Sequence, residues 1–162
     1  FLEEKHRVMG TPRYLSEFLE YAELSRNLTE ITGKSMATAE EMYLLWHTLR
    51  AESAVGLGLP SWTKDLFPAG QLYDVTLMEY NLRNFNEKLT RMNGGMLLKN
   101  ITETMMQIVR GTSRTRLQLL SGHENNIDAL LRAMAVNKPH IPAYSSAVLM
   151  ELLQRGIDYY VK

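Results

Sequence analysis

Apolar side chains recur every three or four residues along most of the chain up to Gly111, and this spacing is typical of amphipathic helices. Thr11-Pro12 marks the start of the first predicted helix, because a capping residue is followed by proline at the first helical position. That helix is expected to fray towards Gly33. A second helix is predicted after Thr38, which has capping-box spacing with Glu41. This part of the chain is therefore predicted to be entirely helical.

Two further helices are predicted on either side of a glycine pair. The first runs from about residue 71 to residue 91 and is expected to be the longest in the chain. Asn93-Gly94-Gly95 is expected to break the chain, since glycine is disfavoured inside helices. The helical period then restarts at Leu98 and continues until Gly111.

The pattern changes after Gly111. The short apolar run Leu117-Gln118-Leu119-Leu120 predicts a buried strand, and the residues after it predict a tight turn. Asn125 or Asn126 can cap a new helix that ends near Pro139. The tail from residue 147 to residue 161 is compatible with a hairpin around Arg155-Gly156 or with one more helix, and intrinsic propensity favours the helix.

The composition excludes several classes of protein. The 18 Lys and Arg residues balance the 18 Asp and Glu residues, so no nucleic-acid partner is expected. The apolar runs are too short for a membrane segment. The absence of cysteine excludes disulfides, thiolate metal sites and cysteine catalysis. His6, His47 and His140 lack the spacing of metal ligands, so no metal site is predicted.

Gly122-His123-Glu124 is the one place where the sequence predicts chemistry, because it lies between a predicted strand and a predicted helix. Free backbone N–H groups and the helix dipole favour an anion at such a point. An imidazolium can donate to a phosphate oxygen, and the adjacent carboxyl can give a proton to a leaving alkoxide. A structural role is the alternative, since a histidine near a helix start is more often structural or merely solvated.

Three segments carry a resemblance to a known family. Residues 117–152 resemble the C-terminal signature of the histidine acid phosphatases, in which a strand ends in a histidine followed by an acidic residue and a helix. Leu59-Pro60-Ser61-Trp62 resembles the LPSW-like segment of the prostatic, lysosomal and insect venom members. Gly94-Gly95-Met96-Leu97-Leu98 resembles their GGxLL helix start. The order and spacing of the segments agree with that family.

The resemblance implies an α/β architecture, the histidine phosphatase (phosphoglycerate mutase-like) fold. The chain is then a fragment dominated by the helical cap of that fold, with a few C-terminal strands. Residues 1–111 are expected to form the mainly helical cap region, and residues 112–162 the C-terminal part of the α/β catalytic core. One domain is expected overall, with the N-terminal catalytic half absent.

The resemblance also implies a phosphohistidine mechanism without a metal or organic cofactor. His123 then corresponds to the phosphate-binding histidine, and Glu124 to the proton donor for the leaving group. Many members have Asp where this chain has Glu124. The RHGxRxP motif that supplies the nucleophilic histidine does not occur in the chain, and Lys5-His6-Arg7 lacks its glycine and its Arg-x-Pro. The nucleophile is therefore expected to precede Phe1, and the isolated chain is expected to be inactive.

The substrates implied by the resemblance are small-molecule phosphate monoesters, and a homodimer is compatible with it. A secreted or lysosomal location follows from the same resemblance. Asn27 and Asn100 begin sequons that suit such a location, although sequons are also common by chance. The alternative is a catalytically inactive helical binding module that keeps the fold, because the chain lacks a nucleophile.

Overall fold

The computed structural model describes residues 1–162, which divide into two compact units, Phe1–Phe85 and Asn86–Lys162. The first unit contains five helices, α1 (Leu2–Met9), α2 (Pro12–Leu19), α3 (Ala22–Thr32), α4 (Ala39–Ala54) and α5 (Gln71–Leu82), with one turn of 3-10 helix at Ser61–Thr63. The second unit contains α6 (Glu87–Thr90), a π-helical turn (Arg91–Gly95), α7 (Met96–Val109), α8 (Glu124–Ala133) and the strands β1 (Leu152–Arg155) and β2 (Asp158–Val161).

Local capping signals fix two helix starts in the first unit as predicted. The Tyr14 N–H donates to the Thr11 hydroxyl at the start of α2, with proline at the first helical position. At the start of α4, the Glu41 N–H donates to the Thr38 hydroxyl at 3.2 Å, and the Thr38 N–H donates to the Glu41 carboxylate at 2.9 Å. Both predictions are confirmed because a capping side chain needs partners only within one helical turn.

The core of the first unit lies mainly between α4 and α5, the two helices with the most extensive contact. Most of its fully buried side chains are apolar or aromatic, which removes their surface from water, and Thr76 and Glu79 are the polar exceptions. The largest of them are Tyr80, Leu28, Met42, Leu72, Leu82 and Val75.

A buried cluster of charges also joins helices of this unit. The Lys5 ammonium donates to Glu79 at 2.6 Å and to Glu40 at 3.0 Å, and the Arg83 guanidinium donates to Glu79 at 2.8 Å. Lys5 and Glu79 are almost completely buried. The hydrogen bond from Lys5 lowers the pKa of Glu40, and burial, together with the charge of Glu79, raises the pKa of Tyr14 to about 12. The cluster connects α1 with α4 and α5.

The helix predicted over residues 71–91 is divided, so the expectation of one longest helix there is wrong. Helix α5 ends at Leu82, and Asn86 caps α6 by accepting a hydrogen bond from the Leu89 N–H at 2.9 Å. An asparagine side chain competes with the backbone for such bonds and so favours a new helix start. The first predicted helix is similarly divided into α2 and α3, with Gly33 ending α3 in a left-handed conformation (φ 69°). The sequence pattern did not predict α1.

The predicted break at Asn93-Gly94-Gly95 is also wrong. These residues belong to the π-helical turn, which leads directly into α7. A β-carbon on Gly94 would lie 2.0 Å from the Ala129 carbonyl oxygen and 3.1 Å from the Ala133 β-carbon. Gly94 therefore permits close contact between this turn and α8, and it is a packing position rather than a helix breaker. The predicted helix end at Gly111 is confirmed, with φ 71° at that residue.

Leu117-Gln118-Leu119-Leu120 is not a buried strand. The segment has no regular secondary structure, and its three leucines are 73%, 83% and 52% exposed. A strand requires a hydrogen-bonding neighbour, and the two strands of the chain pair with each other. This prediction was wrong because an apolar run cannot reveal whether a partner strand is available.

The C-terminal tail forms an antiparallel hairpin, which confirms the hairpin alternative over the helix. Leu152 pairs with Val161 and Arg155 pairs with Asp158, and Gly156 in the turn has φ 63°. The chain is thus mostly helical with one small two-stranded sheet, rather than a balanced α/β structure. The predicted boundary near residue 111 stays a prediction. No helix combines the length and apolar character that crossing a bilayer requires.

Candidate active site at the start of α8

His123 and Glu124 lie side by side where α8 begins. His123 is the capping residue, with an extended backbone (φ −92°, ψ 165°), and Glu124 is the first residue of the helix. A helix after the leucine run was predicted and is confirmed, and it begins at Glu124. Neither Asn125 nor Asn126 is the capping residue itself, because the helix begins before both.

The two side chains differ in their access to solvent. His123 is exposed, whereas Glu124 is half-buried. The start of α8 is the positive end of the helix dipole, which favours an anion near His123. The position therefore combines hydrogen-bond donors for an anion with a carboxyl group that can transfer a proton.

The backbone around His123 is held by Asn126. The His123 N–H donates to the Asn126 side-chain oxygen at 2.8 Å, and the Asn126 N–H donates to the His123 carbonyl at 2.9 Å. Gly122 lies against the same amide, since a β-carbon there would be 2.8 Å from the Asn126 oxygen. Sequence reasoning recognised Asn126 as a capping candidate but did not predict this reciprocal arrangement.

Further along α8, the helix is held by packing and by one ion pair. Asp128 is 1% exposed, and the Arg132 Nε–H lies 2.9 Å from both of its carboxylate oxygens. Ala129 and Leu130 are buried, and the Ala129 carbonyl lies over Gly94. The helix that carries His123 and Glu124 is thus anchored along one side.

The two sequon asparagines are far apart in the chain and both are exposed. Asn27 lies within α3, and Asn100 lies within α7, where its side-chain oxygen accepts a hydrogen bond from the Gln118 amide at 3.0 Å. The residues that follow them, Leu28 and Ile101, are buried. Each asparagine therefore sits at the edge of the buried face of its helix.

The remaining histidines do not join a site. His6 is exposed on α1, and His140 contacts the Lys138 carbonyl. His47 packs against Tyr43, with 4.4 Å between the centroids of the two rings. No group of three or more His, Cys, Asp or Glu side chains is arranged to hold a metal ion. The assignment of chemistry to His123 and Glu124 stays a prediction.

Comparison with curated proteins shows that the chain is similar to acid phosphatases. No protein-family model matches the chain. The chain is 42% identical to venom acid phosphatase Acph-1 of Apis mellifera over the whole chain and 42% of that relative. It is 25% identical to the prostatic acid phosphatase of Rattus norvegicus, over the whole chain and 43% of the relative. It is also 26% identical to the lysosomal acid phosphatase of the same species, over 89% of the chain and 34% of the relative.

These relatives confirm the resemblance to the venom, prostatic and lysosomal acid phosphatases. Their names also agree with the secreted or lysosomal setting that the resemblance implied. The chain spans less than half the length of each of these relatives.

Proposed function

We propose that this chain forms part of an acid phosphatase that hydrolyses phosphate monoesters, and that it supplies His123 and Glu124 to the active site. The observation that carries the proposal is the placement of this pair at the start of α8, in a chain 42% identical to a venom acid phosphatase. A phosphate group at this point would meet the imidazole and the positive end of the helix dipole. The complete protein would have the histidine phosphatase fold.

The proposed reaction has two steps. A histidine outside these 162 residues attacks phosphorus while the bond to the leaving oxygen breaks, and that oxygen takes a proton from Glu124. His123 donates a hydrogen bond to a phosphoryl oxygen, where charge accumulates in the transition state. Water then attacks the phosphohistidine as Glu124 accepts a proton from that water. The products are the free alcohol, inorganic phosphate and the restored enzyme.

Glu124 has the reach that this task requires. It belongs to the first turn of α8 next to His123, and the proposal requires its carboxyl group to approach the leaving oxygen of a phosphate that the imidazole binds. Glutamate is longer than the aspartate of many family members by about one C–C bond, which changes the geometry but not the proton-donor chemistry. Half-burial of Glu124 limits its exchange with bulk water.

A chimeric enzyme tests the proposal. The segment of the honeybee venom acid phosphatase that aligns with this chain is replaced by residues 1–162, and hydrolysis of p-nitrophenyl phosphate is measured. We expect an active chimera, a loss of kcat of about 10²-fold or more with His123→Ala, and no change with His6→Ala, which alters an exposed histidine of α1. Equal activity of the His123→Ala variant and the parent would refute the role of His123.

The isolated chain provides a second test. Without a nucleophilic histidine it should release no p-nitrophenol above background. If the purified chain is active and His123→Ala removes that activity, the proposal that His123 binds phosphate while another histidine acts as nucleophile would be overturned. The alternative function, an inactive binding module, has no specific observation in its favour.

Secretion or a lysosomal location is part of the same proposal, since the relatives are named as venom, prostatic and lysosomal proteins. Glycosylation at Asn27 and Asn100, a homodimer and the absence of nucleic-acid binding stay predictions. Expression in insect cells followed by glycosidase treatment checks the sequons: a mass shift that Asn27→Gln or Asn100→Gln removes would assign a glycan to that residue.

A further inference from the structure

We propose that Asn126 is a positioning residue that fixes the backbone of His123, and that Gly122 supports it because a β-carbon there would push against the Asn126 amide. The proposal rests on the proposed function, because it concerns the residues assigned to phosphate binding and proton transfer. It assigns no direct contact with substrate to either residue.

The need for such a device follows from the exposure of His123. An exposed imidazole has few packing neighbours to restrict it, so its direction depends on the backbone that carries it and on the capping box that His123 forms with Asn126. That backbone is extended at His123 and helical from Glu124 onward. The two hydrogen bonds with Asn126, at 2.8 and 2.9 Å, span this junction and hold both backbone groups of His123.

Gly122 adds a steric condition to the same bond. A β-carbon at residue 122 would lie 2.8 Å from the Asn126 side-chain oxygen and 3.2 Å from its amide carbon. Gly122 does not have a positive φ, so glycine is needed there for space rather than for backbone conformation. An alanine at this position would displace the Asn126 amide from the His123 N–H. Asn126→Ala and Gly122→Ala are therefore both expected to weaken the hydrogen bond from the His123 N–H to the Asn126 side chain.

The first experiment measures amide-to-water exchange of His123 by NMR in the 162-residue chain. We expect exchange to accelerate about tenfold or more in Asn126→Ala and in Gly122→Ala. Asn126→Asp keeps a carboxylate oxygen as acceptor, and we expect it to retain slow exchange. Arg132→Ala is the matched control, because it weakens the other end of α8 and leaves the His123 bond intact. Unchanged exchange in Asn126→Ala would overturn the proposal.

The second experiment separates positioning from helix stability in the chimeric enzyme. We expect Asn126→Ala and Gly122→Ala to lower kcat about tenfold or more with KM altered less than threefold, because a misdirected donor loses contact mainly in the transition state. Arg132→Ala should change kcat less than twofold. Equal losses of kcat in Asn126→Ala and Arg132→Ala would instead assign Asn126 to helix stability and overturn its positioning role.

The two experiments distinguish this proposal from the proposed function. An inactive parent chimera would refute the assignment of His123 and Glu124 and with it any positioning of a reacting group. The exchange data would then still decide whether Asn126 holds the His123 backbone. An active chimera with fast His123 exchange in both parent and Asn126→Ala would refute the positioning role alone.

Discussion

Substitution of Gly94 by alanine should destabilise the second unit, although alanine is the better helix former. The new β-carbon would lie 2.0 Å from the Ala129 carbonyl oxygen, well inside van der Waals contact. That oxygen belongs to the backbone of α8 and cannot move alone. Overpacking of this kind costs about 3 kcal/mol, at the upper end of its usual range. The gain in helix propensity offsets about 1 kcal/mol, which leaves a net loss of about 2 kcal/mol in the free energy of unfolding.

Gly95 provides the matched control one residue further along the same turn. A β-carbon there would lie 3.7 Å from the Arg91 β-carbon and 3.9 Å from the Thr90 carbonyl oxygen, both ordinary contacts. Gly95→Ala should therefore stabilise the protein by about 0.5–1 kcal/mol, since only the helix propensity changes. Gly94→Ala and Gly95→Ala therefore differ mainly in whether the new β-carbon collides with α8.

Urea denaturation followed by far-UV circular dichroism measures both variants, and NMR signals of residues 86–162 assign the change to the second unit. A net loss of about 2 kcal/mol corresponds to a fall in melting temperature of roughly 8–16 °C for a unit of this size. Equal stabilities of Gly94→Ala and Gly95→Ala would refute the close contact between the π-helical turn and α8.

Three further predictions concern the first unit. Lys5→Met should cost about 3 kcal/mol in urea denaturation, because it leaves buried Glu79 with one fewer cation. Arg13→Ala, which removes an exposed ion pair and a cation–π contact with Phe85, should cost about 1 kcal/mol or less. The folded protein lowers the pKa of Glu40, so the ionised Glu40 side chain contributes fully to folding stability above the ordinary Glu pKa of about 4.3. That contribution is lost as the pH falls through the lower pKa of the folded state. Glu40→Gln should therefore make stability depend less on pH in the acid range. Thr38→Ala should cost about 1 kcal/mol of thermal stability through loss of the capping box, and an unchanged melting curve would contradict this.

Local signals in the sequence predicted the helix boundaries that depend on neighbouring residues. Thr38 finds its capping partner three residues away, and Gly111 ends α7 through its own backbone conformation. Gly94 was misinterpreted because its role depends on Ala129, which is distant in sequence. The leucine run at residues 117–120 was misinterpreted for the same reason, since strand formation depends on a partner elsewhere.

The candidate site likewise combines a feature that local sequence predicts with one that it does not. The position of His123 and Glu124 at a helix start followed from glycine and polar residues near the junction, so it could be predicted locally. The hydrogen bond from the His123 N–H to Asn126 required knowledge of which residue begins the helix. A shift of the capping position by three residues, from Asn126 to His123, changes Asn126 from a capping residue into the acceptor that holds the capping residue.

The chemistry assigned to Glu124 is tested most directly in the chimeric enzyme, by measuring how the loss of activity in Glu124→Gln depends on the leaving group of the substrate. An alkoxide needs a proton in the transition state, whereas nitrophenolate departs with little help, so loss of the acid should slow alkyl phosphates on the order of 10²–10⁴-fold and nitrophenyl phosphate far less. Glutamine keeps the size and much of the hydrogen bonding of glutamate. His123→Ala should impair both substrates similarly, because it contacts the phosphoryl oxygens. Equal losses for the two substrates with Glu124→Gln would contradict the proton-donor role.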